Sequence, residues 1–243
     1  MLNSRMNANP SAQVVFISGA NRGLGLGLAR CFLEAGWVVI GTHRMRVSDD
    51  FRELERRFSR RLIPIALDLI DEKAIETVPD ALKSMGISQV DVLINNAGAL
   101  FNRSDSLNCV KSENLRMGFE INVIGPMLLT RACEHLLKKS SAAKIVNITS
   151  RASSLTLTDS ISDQYDYRLS KCAQNMFTRL LSIEYPWAVV FAVHPGSLKT
   201  ELGGQNAKLE VMGVDSEITQ LIMSAERSFA GCFLTREGTS IPW

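Results

Sequence analysis

Short apolar runs alternate with longer amphipathic stretches along most of the chain, and this alternation restricts the possible folds more than any other feature. We predict buried strands at 13–18, 37–42, 62–67, 90–95, 143–149 and 188–193. We predict helices at 24–35, 49–58, 114–138 and 166–184. Near-continuous apolar strands separated by helices indicate a parallel sheet that is covered on both faces. With right-handed crossovers, the order predicts an α/β fold with a Rossmann-type doubly wound parallel sheet.

The length and composition are those of one globular domain. The 243 residues are 46% hydrophobic and 21% charged, which supplies a large core. No linker, repeat or low-complexity tract divides the chain, so a single domain is expected at 13–243. Residues 1–12 are polar and rich in Asn and Ser, and they lack the order of a secretory signal. A short disordered N-terminal arm is therefore predicted there.

Charge and cysteine usage restrict the partners and the compartment. Lys and Arg number 27 and Asp and Glu 25, and a net charge of +2 gives no argument for nucleic acid or an anionic membrane. The five cysteines are scattered and form no CxxC pair, which favours a reducing, cytoplasmic setting. His43, His135 and His194 share no ligand spacing, so no metal site is expected.

A glycine-rich turn stands between the first predicted strand and the first predicted helix. Its glycines are Gly19, Gly23 and Gly25, a GxxxGxG spacing. Glycines allow a tight turn and a close approach to a pyrophosphate, which the free N–H groups at the start of the following helix can bind. The spacing is weak evidence alone, but its place between strand and helix predicts a dinucleotide site.

The second predicted strand indicates which dinucleotide binds. NAD-binding folds usually place an acidic residue there for the adenosine ribose, but this strand ends in Thr42-His43-Arg44. Arg22 lies within the glycine turn itself. Two guanidinium groups without a carboxylate suit the additional phosphate of NADP. The alternative is that both arginines are solvated loop residues.

A Tyr-x-x-x-Lys pair stands at the start of the last predicted helix. Tyr167 and Lys171 are four residues apart and share one helix face, whereas Tyr165 points about 120° away from the lysine. A free phenol has a pKa near ~10, and a nearby ammonium is expected to lower it. Tyr167 is therefore the candidate proton donor.

These motifs together resemble the short-chain dehydrogenase/reductase family. The resemblance covers nearly the whole chain and is closer to the sniffer-type and C-factor-like carbonyl reductases. It is carried by the glycine turn, Asn95-Asn-Ala-Gly98, Asn122, Ser150, Tyr165-Asp-Tyr-Arg-Leu-Ser-Lys171, His194-Pro-Gly196, Lys199-Thr200 and Gly238-Thr-Ser-Ile-Pro-Trp243.

The resemblance implies a role for each matching residue. Ser150 would polarise a substrate carbonyl, Tyr167 would donate the proton, and Lys171 would bind the nicotinamide ribose and tune Tyr167. Asn122 would anchor a water relay to Lys171. Together with Tyr167 and Lys171, the implied cofactor-binding residues are Gly19, Asn21, Arg22, Gly23, Leu24, Gly25, Arg44, Asp68, Leu69, Asn95, Ala97, Gly98, Pro195, Gly196 and Thr200.

The implied function is that of an NADP-dependent oxidoreductase which transfers a hydride between the nicotinamide and a small carbonyl or alcohol substrate. A homo-oligomer, either dimer or tetramer, is also expected. Two alternatives remain open: a cofactor-binding signalling or regulatory protein of this fold, and a reductase of an imine or another C=X bond. Arg151, directly after Ser150, is either a ligand for an acidic substrate group or a solvated loop residue.

Pro126 stands four residues after Asn122 within a predicted helix. In an α-helix the N–H of residue 126 would bond the carbonyl of residue 122, and proline has no such N–H. We therefore expect a local bulge, water or packing to compensate, and an Asn122 carbonyl that is free to accept from a water.

Overall fold

A computed structural model describes residues 12–44, 46–103, 106–158, 163–204 and 206–243. The predicted N-terminal arm lies outside these ranges except for Ala12, which packs against the core. In the described residues, seven strands form one sheet in the order β3-β2-β1-β4-β5-β6-β7, and every neighbouring pair is parallel. The strands are β1 Val14–Ile17, β2 Val38–His43, β3 Leu62–Ala66, β4 Val92–Asn95, β5 Lys144–Ile148, β6 Val189–His194 and β7 Phe233–Thr235.

Seven α-helices in the described residues connect these strands. They are α1 Gly23–Glu34, α2 Asp49–Arg57, α3 Glu72–Ser84, α4 Ser112–Phe119, α5 Gly125–Leu137, α6 Tyr165–Glu184 and α7 Val211–Ser224. The predicted doubly wound sheet is confirmed. Each predicted strand and helix is present within a few residues of its expected bounds, except that the helix expected at 114–138 is divided into α4, a π-helical turn and α5. Helices α3 and α7 and strand β7 were not predicted from the sequence.

The two faces of the sheet are covered by different helices, as alternation along β1 shows. Val15 and Ile17 pack in a cluster with apolar residues of α1, α2 and α7. Val14 and Phe16 pack on the opposite face with apolar residues of α3, α5 and α6. Because successive side chains of a strand point to opposite faces, the continuous apolar runs of the sequence serve two cores at once.

The strand order reverses between β1 and β4, so the segments that follow these two strands meet at one edge of the sheet. Ile17 is in register with Ile94, and the N–H of Ser18 donates to the carbonyl of Ile94 at 3.0 Å. The glycine turn after β1 and Asn95–Gly98 after β4 are therefore neighbours. Ligands of open α/β sheets bind at this switch point.

A π-helical turn, Glu120–Ile124, separates α4 from α5. The N–H of Gly125 donates to the carbonyl of Glu120, a five-residue spacing. Pro126 follows in the first turn of α5, directly after the π-turn, and it offers no N–H to the preceding carbonyls. Asn122 is buried at the centre of this wider turn. The local bulge thus occurs where the Asn122–Pro126 spacing predicts one.

Candidate active site

The glycine turn brings the start of α1 close to the end of β1. Gly19 has a φ of +68° and donates its N–H to the hydroxyl of Thr42 at 2.9 Å. A Cβ at residue 25 would overlap the carbonyl oxygen of Gly19, so only glycine allows this approach. The N-cap Arg22 makes no side-chain capping bond in the described structure, which leaves N–H groups of α1 available to an anion.

Two asparagines hold the glycine turn in place. The Asn96 side chain donates to the carbonyls of Ser18 at 2.9 Å and Gly19 at 3.1 Å. Asn21 accepts from the N–H of Ser48 at 2.7 Å and thereby ties the turn to the segment after β2. Asn21 is among the cofactor-binding residues predicted from the sequence, whereas Asn96 was noted only as part of the Asn95–Gly98 motif and not as a separate site residue. Its place beside Asn95, in the segment expected to meet the turn, was the available signal.

Asn95 has a different place from its neighbours. Its side chain is fully buried and donates to the hydroxyl of Thr130 at 3.2 Å and to the Asn147 side chain at 2.8 Å. These contacts join β4 to β5 and α5 beneath the site. The side chain therefore supports the sheet edge, and the cofactor contact predicted for Asn95 stays a prediction. Ala97 and Gly98 continue from it toward the catalytic candidates.

The residues expected to bind the adenosine end of the cofactor lie in the segments that follow β1, β2 and β3. The exposed Arg22 forms an ion pair with Glu201, whereas no acidic partner of Arg44 is found in the described residues. Asp68 is half-buried and accepts from the N–H of Ile70 at 3.3 Å. Leu69 is buried against α5, where a Cβ on Gly125 would lie 2.6 Å from the Leu69 Cβ.

The segment after β6 reaches back to the glycine turn. A Cβ on Gly23 would lie 3.2 Å from the Thr200 methyl carbon, so these two residues are in close proximity. Gly196 has a φ of +89°, which lets the Pro195-Gly196 corner turn sharply. Thr200 accepts from the N–H of Gly203 at 3.0 Å. The structure thus brings the Pro195–Thr200 segment and Leu24, at the start of α1, to the same edge.

Lys171 is the most buried charged candidate, with an exposed fraction of 3%. Its Nζ donates to the Ile148 carbonyl and to Gln174 Oε1, both at 2.8 Å. It lies 5.8 Å from the centroid of the Tyr167 ring. Burial lowers the Lys171 pKa to about 7, because a low-dielectric surrounding disfavours the ammonium form. The amine can therefore gain or lose a proton near neutral pH.

Tyr167 faces Ser150 across the site. Burial raises the pKa of the Tyr167 phenol to about 12, while a side-chain hydrogen bond with Ser150 and the charge of Arg103 lower it. The expected lowering below ~10 is thus wrong for this structure, because desolvation outweighs the neighbouring charges. The consequence is a phenol that keeps its proton at neutral pH. Ser150 also accepts from the N–H of Ala152 at 3.1 Å.

Asn122 anchors the loop that follows Gly98. Its side chain accepts from the N–H of Ala99 at 2.8 Å and donates to the Ala99 carbonyl at 2.9 Å. It also donates to the Ser170 hydroxyl at 2.9 Å, next to Lys171. A Cβ on Gly98 would lie 3.3 Å from Asn122 Oδ1 and 3.5 Å from Lys171 Nζ. Asn122, Gly98 and Lys171 therefore meet, while the water relay stays a prediction.

Metal ligation and membrane insertion are two further properties on which the described residues bear. Within the described ranges, no three His, Cys, Asp or Glu side chains come together as metal ligands. No helix in this part of the chain is both long enough and apolar enough to span a bilayer.

Comparison with known proteins identifies the class that this fold and site define. The short chain dehydrogenase family profile matches residues 13–210. The chain belongs to the short-chain dehydrogenase/reductase family.

Three individual proteins refine this assignment. Carbonyl reductase Sniffer of D. melanogaster superposes with a TM-score of 0.87 at 28% identity, covering 96% of this chain and 100% of that one. An NADPH-bound carbonyl reductase from chicken fatty liver superposes with a TM-score of 0.86 at 28% identity, covering 96% and 99%. C-signal of Myxococcus xanthus is 32% identical over 156 residues, covering 63% of this chain and 93% of C-signal. The expected likeness to the sniffer-type branch is confirmed.

The low pKa of Lys171 predicts a pH-dependent stability. The unfolded chain keeps this lysine protonated up to about 10.4, whereas the folded protein releases the proton near pH 7. Between these values the unfolded state binds more protons, so the contribution of Lys171 makes folding more favourable as the pH rises. Each unit of lowered pKa corresponds to about 1.36 kcal/mol.

Chemical denaturation of the wild type and Lys171→Met from pH 6.5 to 10 measures this contribution. The stability difference between the two proteins is expected to change across this range in favour of the wild type. Lys139→Met, at an exposed position, is the matched control and should follow the wild-type profile. Parallel profiles for the wild type and Lys171→Met would contradict the assigned pKa.

Proposed function

We propose that the protein is an NADP-dependent carbonyl reductase, in which Tyr167, Ser150, Lys171 and Asn122 act on a small carbonyl or alcohol substrate. The observation that carries the proposal is the convergence of a protonated Tyr167, its Ser150 partner and a buried Lys171 beside the glycine turn. A proton donor and a polarising hydroxyl adjoining a nucleotide turn suit the reduction of a carbonyl. The NADPH-bound chicken reductase, with the same fold, supports the choice of cofactor.

The described residues fit a dinucleotide. The contact between Gly25 and Gly19 leaves no side chain over the turn, and the start of α1 offers N–H groups to a pyrophosphate. Arg44, with its guanidinium exposed, would bind the additional phosphate of NADP, and Arg22 would join it by exchanging Glu201 for the phosphate. The exposed Arg22–Glu201 pair is worth little energy, so this exchange costs little. When bound, the nicotinamide supplies the hydride.

Proton delivery follows from the order of the polar groups. Ser150 and Tyr167 both present hydroxyls, so one carbonyl oxygen can accept from both, and Tyr167 transfers its proton as the alcohol forms. Lys171, with a pKa of about 7, can then return a proton to the phenolate. A water on the Asn122 carbonyl would connect Lys171 to solvent through the widened turn 120–124.

A signalling or regulatory role is the second candidate, favoured by the likeness to C-signal of M. xanthus. That likeness spans 63% of this chain. Retention of Ser150, Tyr167 and Lys171 favours the enzyme, because a protein that only binds the cofactor has no need of a proton donor. An imine or another C=X bond would use the same donor, and a panel of aldehydes, ketones, quinones and imines with NADPH separates these substrates.

The five free thiols agree with a cytoplasmic location.

We further propose a homo-oligomer whose subunits meet at α6. Leu169, Met176, Leu180 and Ile183 lie within about 60° of one another on this helix, and each is half exposed or more. A contiguous apolar stripe of this kind is rare on a monomer surface. A second copy of the chain, presenting the same stripe, would cover it.

Light scattering of Met176→Glu/Leu180→Glu tests this interface. The double variant is expected to be a monomer under conditions in which the wild type is a dimer or tetramer, because four glutamates would face one another in each dimer. Leu107→Glu, at an exposed apolar residue outside α6, is the control and should keep the wild-type mass. A monomeric wild type would contradict the proposal.

The role of Tyr167 is tested by Tyr167→Phe. This variant should bind NADPH normally and lose at least ~100-fold in kcat, the scale of a general acid. Tyr165→Phe is the matched control, since it removes a hydroxyl two residues away and should reduce kcat less than about threefold. Turnover of Tyr167→Phe close to that of the wild type would exclude Tyr167 as the donor.

The cofactor preference is tested by Arg44→Asp. Calorimetry of the wild type should show tighter binding of NADPH than of NADH. Arg44→Asp should weaken NADPH binding at least ~10-fold while sparing NADH, because it replaces a charge-assisted contact by repulsion. Arg52→Asp, an equal charge change at an exposed position of α2, should alter neither affinity. Equal wild-type affinities for the two cofactors would refute the preference.

A further inference from the structure

Residues 99–103 form a loop that two buried side chains hold against the candidate active site. The Asn122 side chain accepts from the N–H of Ala99 at 2.8 Å and donates to the carbonyl of Ala99 at 2.9 Å. The carboxylate of Asp166 accepts from the N–H of Phe101 at 3.1 Å and of Asn102 at 3.2 Å. Four hydrogen bonds therefore fix the backbone of this loop just before Arg103.

Asp166 is placed to act on this loop rather than on solvent. It directly precedes Tyr167 in the first turn of α6, and its exposed fraction is 3%. A buried carboxylate is costly unless it accepts hydrogen bonds, and among the described residues both N–H groups that donate to Asp166 belong to the loop. The other oxygen of Asp166 has no partner among the described residues. The Asp166 carboxylate thus holds the loop in one conformation next to Tyr167.

Arg103 follows the fixed backbone of this loop, and its side chain reaches the 202–204 segment. Its Nη2 donates to the carbonyl of Leu202 at 2.5 Å, and a Cβ on Gly204 would lie 3.3 Å from the guanidinium. Arg103 thereby joins the loop after β4 to the segment after Thr200. Its charge lowers the pKa of Tyr167, so the guanidinium lies close enough for its field to act at the phenol.

Among the described residues, the remaining edge of the guanidinium is free to bind a ligand. Arg103 is exposed, and in the described residues neither its Nε nor its Nη1 has a partner and no carboxylate pairs with it. The bond to Leu202 holds the group in one orientation, which reduces the entropy lost when an anion binds. Planar guanidinium groups match carboxylates through two parallel hydrogen bonds.

We propose that Arg103 determines the specificity of the site by binding the carboxylate of carbonyl substrates that carry one. The inference rests on the reductase function proposed above and names its substrate class. Arg151 is the rival cation, exposed and directly after Ser150, but among the described residues no hydrogen bond or ion pair fixes its guanidinium. The Arg103 guanidinium is held by the Leu202 carbonyl, and its loop is bonded to Asp166, the residue before Tyr167.

A matched pair of aldehydes tests the proposal with NADPH and the full chain. 4-Carboxybenzaldehyde and methyl 4-formylbenzoate have nearly the same shape and differ in charge. Arg103→Gln should lower kcat/KM at least ~5-fold for the acid and less than about twofold for the ester, as loss of a partly exposed charged hydrogen bond implies. Arg151→Gln is the control and should leave the ratio of acid to ester unchanged.

Other results would overturn the proposal. These are an unchanged ratio in Arg103→Gln, an equal loss on both aldehydes, or a loss of the ratio in Arg151→Gln instead. Calorimetric titration with benzoate and benzamide gives a readout without turnover, and Arg103→Gln should weaken benzoate binding alone. If the wild type reduces neither aldehyde, the reductase function fails for this class, while the benzoate titration still decides the role of Arg103.

Discussion

The hydroxyl of Ser18 is the contact on which the rest of the site depends. Ser18 is fully buried at the end of β1 and accepts from the N–H of Asn96 at 3.0 Å and of Ala97 at 3.1 Å. Asn96 returns two bonds to the carbonyls of Ser18 and Gly19. This reciprocal joint holds the ends of β1 and β4 together at the switch point. The glycine turn, the 99–103 loop and the start of α1 all take their positions from it.

A series of hydrogen bonds between buried polar residues connects Asn95, next to this joint, to Lys171. Asn95 donates to Asn147, and Asn147 donates to the hydroxyl of Thr178, each at 2.8 Å. Thr178 bonds the Gln174 carbonyl, and the Gln174 side chain accepts from Lys171. Because Asn95 and Asn147 are register partners, a one-residue slip between β4 and β5 would leave these amides without partners. This series of hydrogen bonds therefore fixes both the register of β4 with β5 and the position of Lys171.

The sequence was sufficient to predict strands β1 to β6 and most helices, because each has an apolar pattern of its own. The prediction missed α3, where Pro79 lies within the helix and obscures the apolar period, and β7, which is only three residues long. Of the site, the glycine turn and the Tyr167–Lys171 pair follow local spacing. The pKa of Tyr167 could not be predicted, because burial depends on the whole fold. The contacts of Asp166 with Phe101 and Asn102 join residues more than 60 positions apart, beyond any local pattern.

The π-helical turn at Glu120–Ile124 also restricts how the chain can vary in length. A π-turn has one residue more than an α-turn, and each residue of an α-helix adds about 100° of rotation. Loss of one residue here would restore a regular helix, yet it would turn Asn122 away from Ala99 or rotate the buried side of α5 out of the core. As the sequence evolves, amino-acid substitutions in this turn are therefore tolerated more readily than the insertion or deletion of a residue.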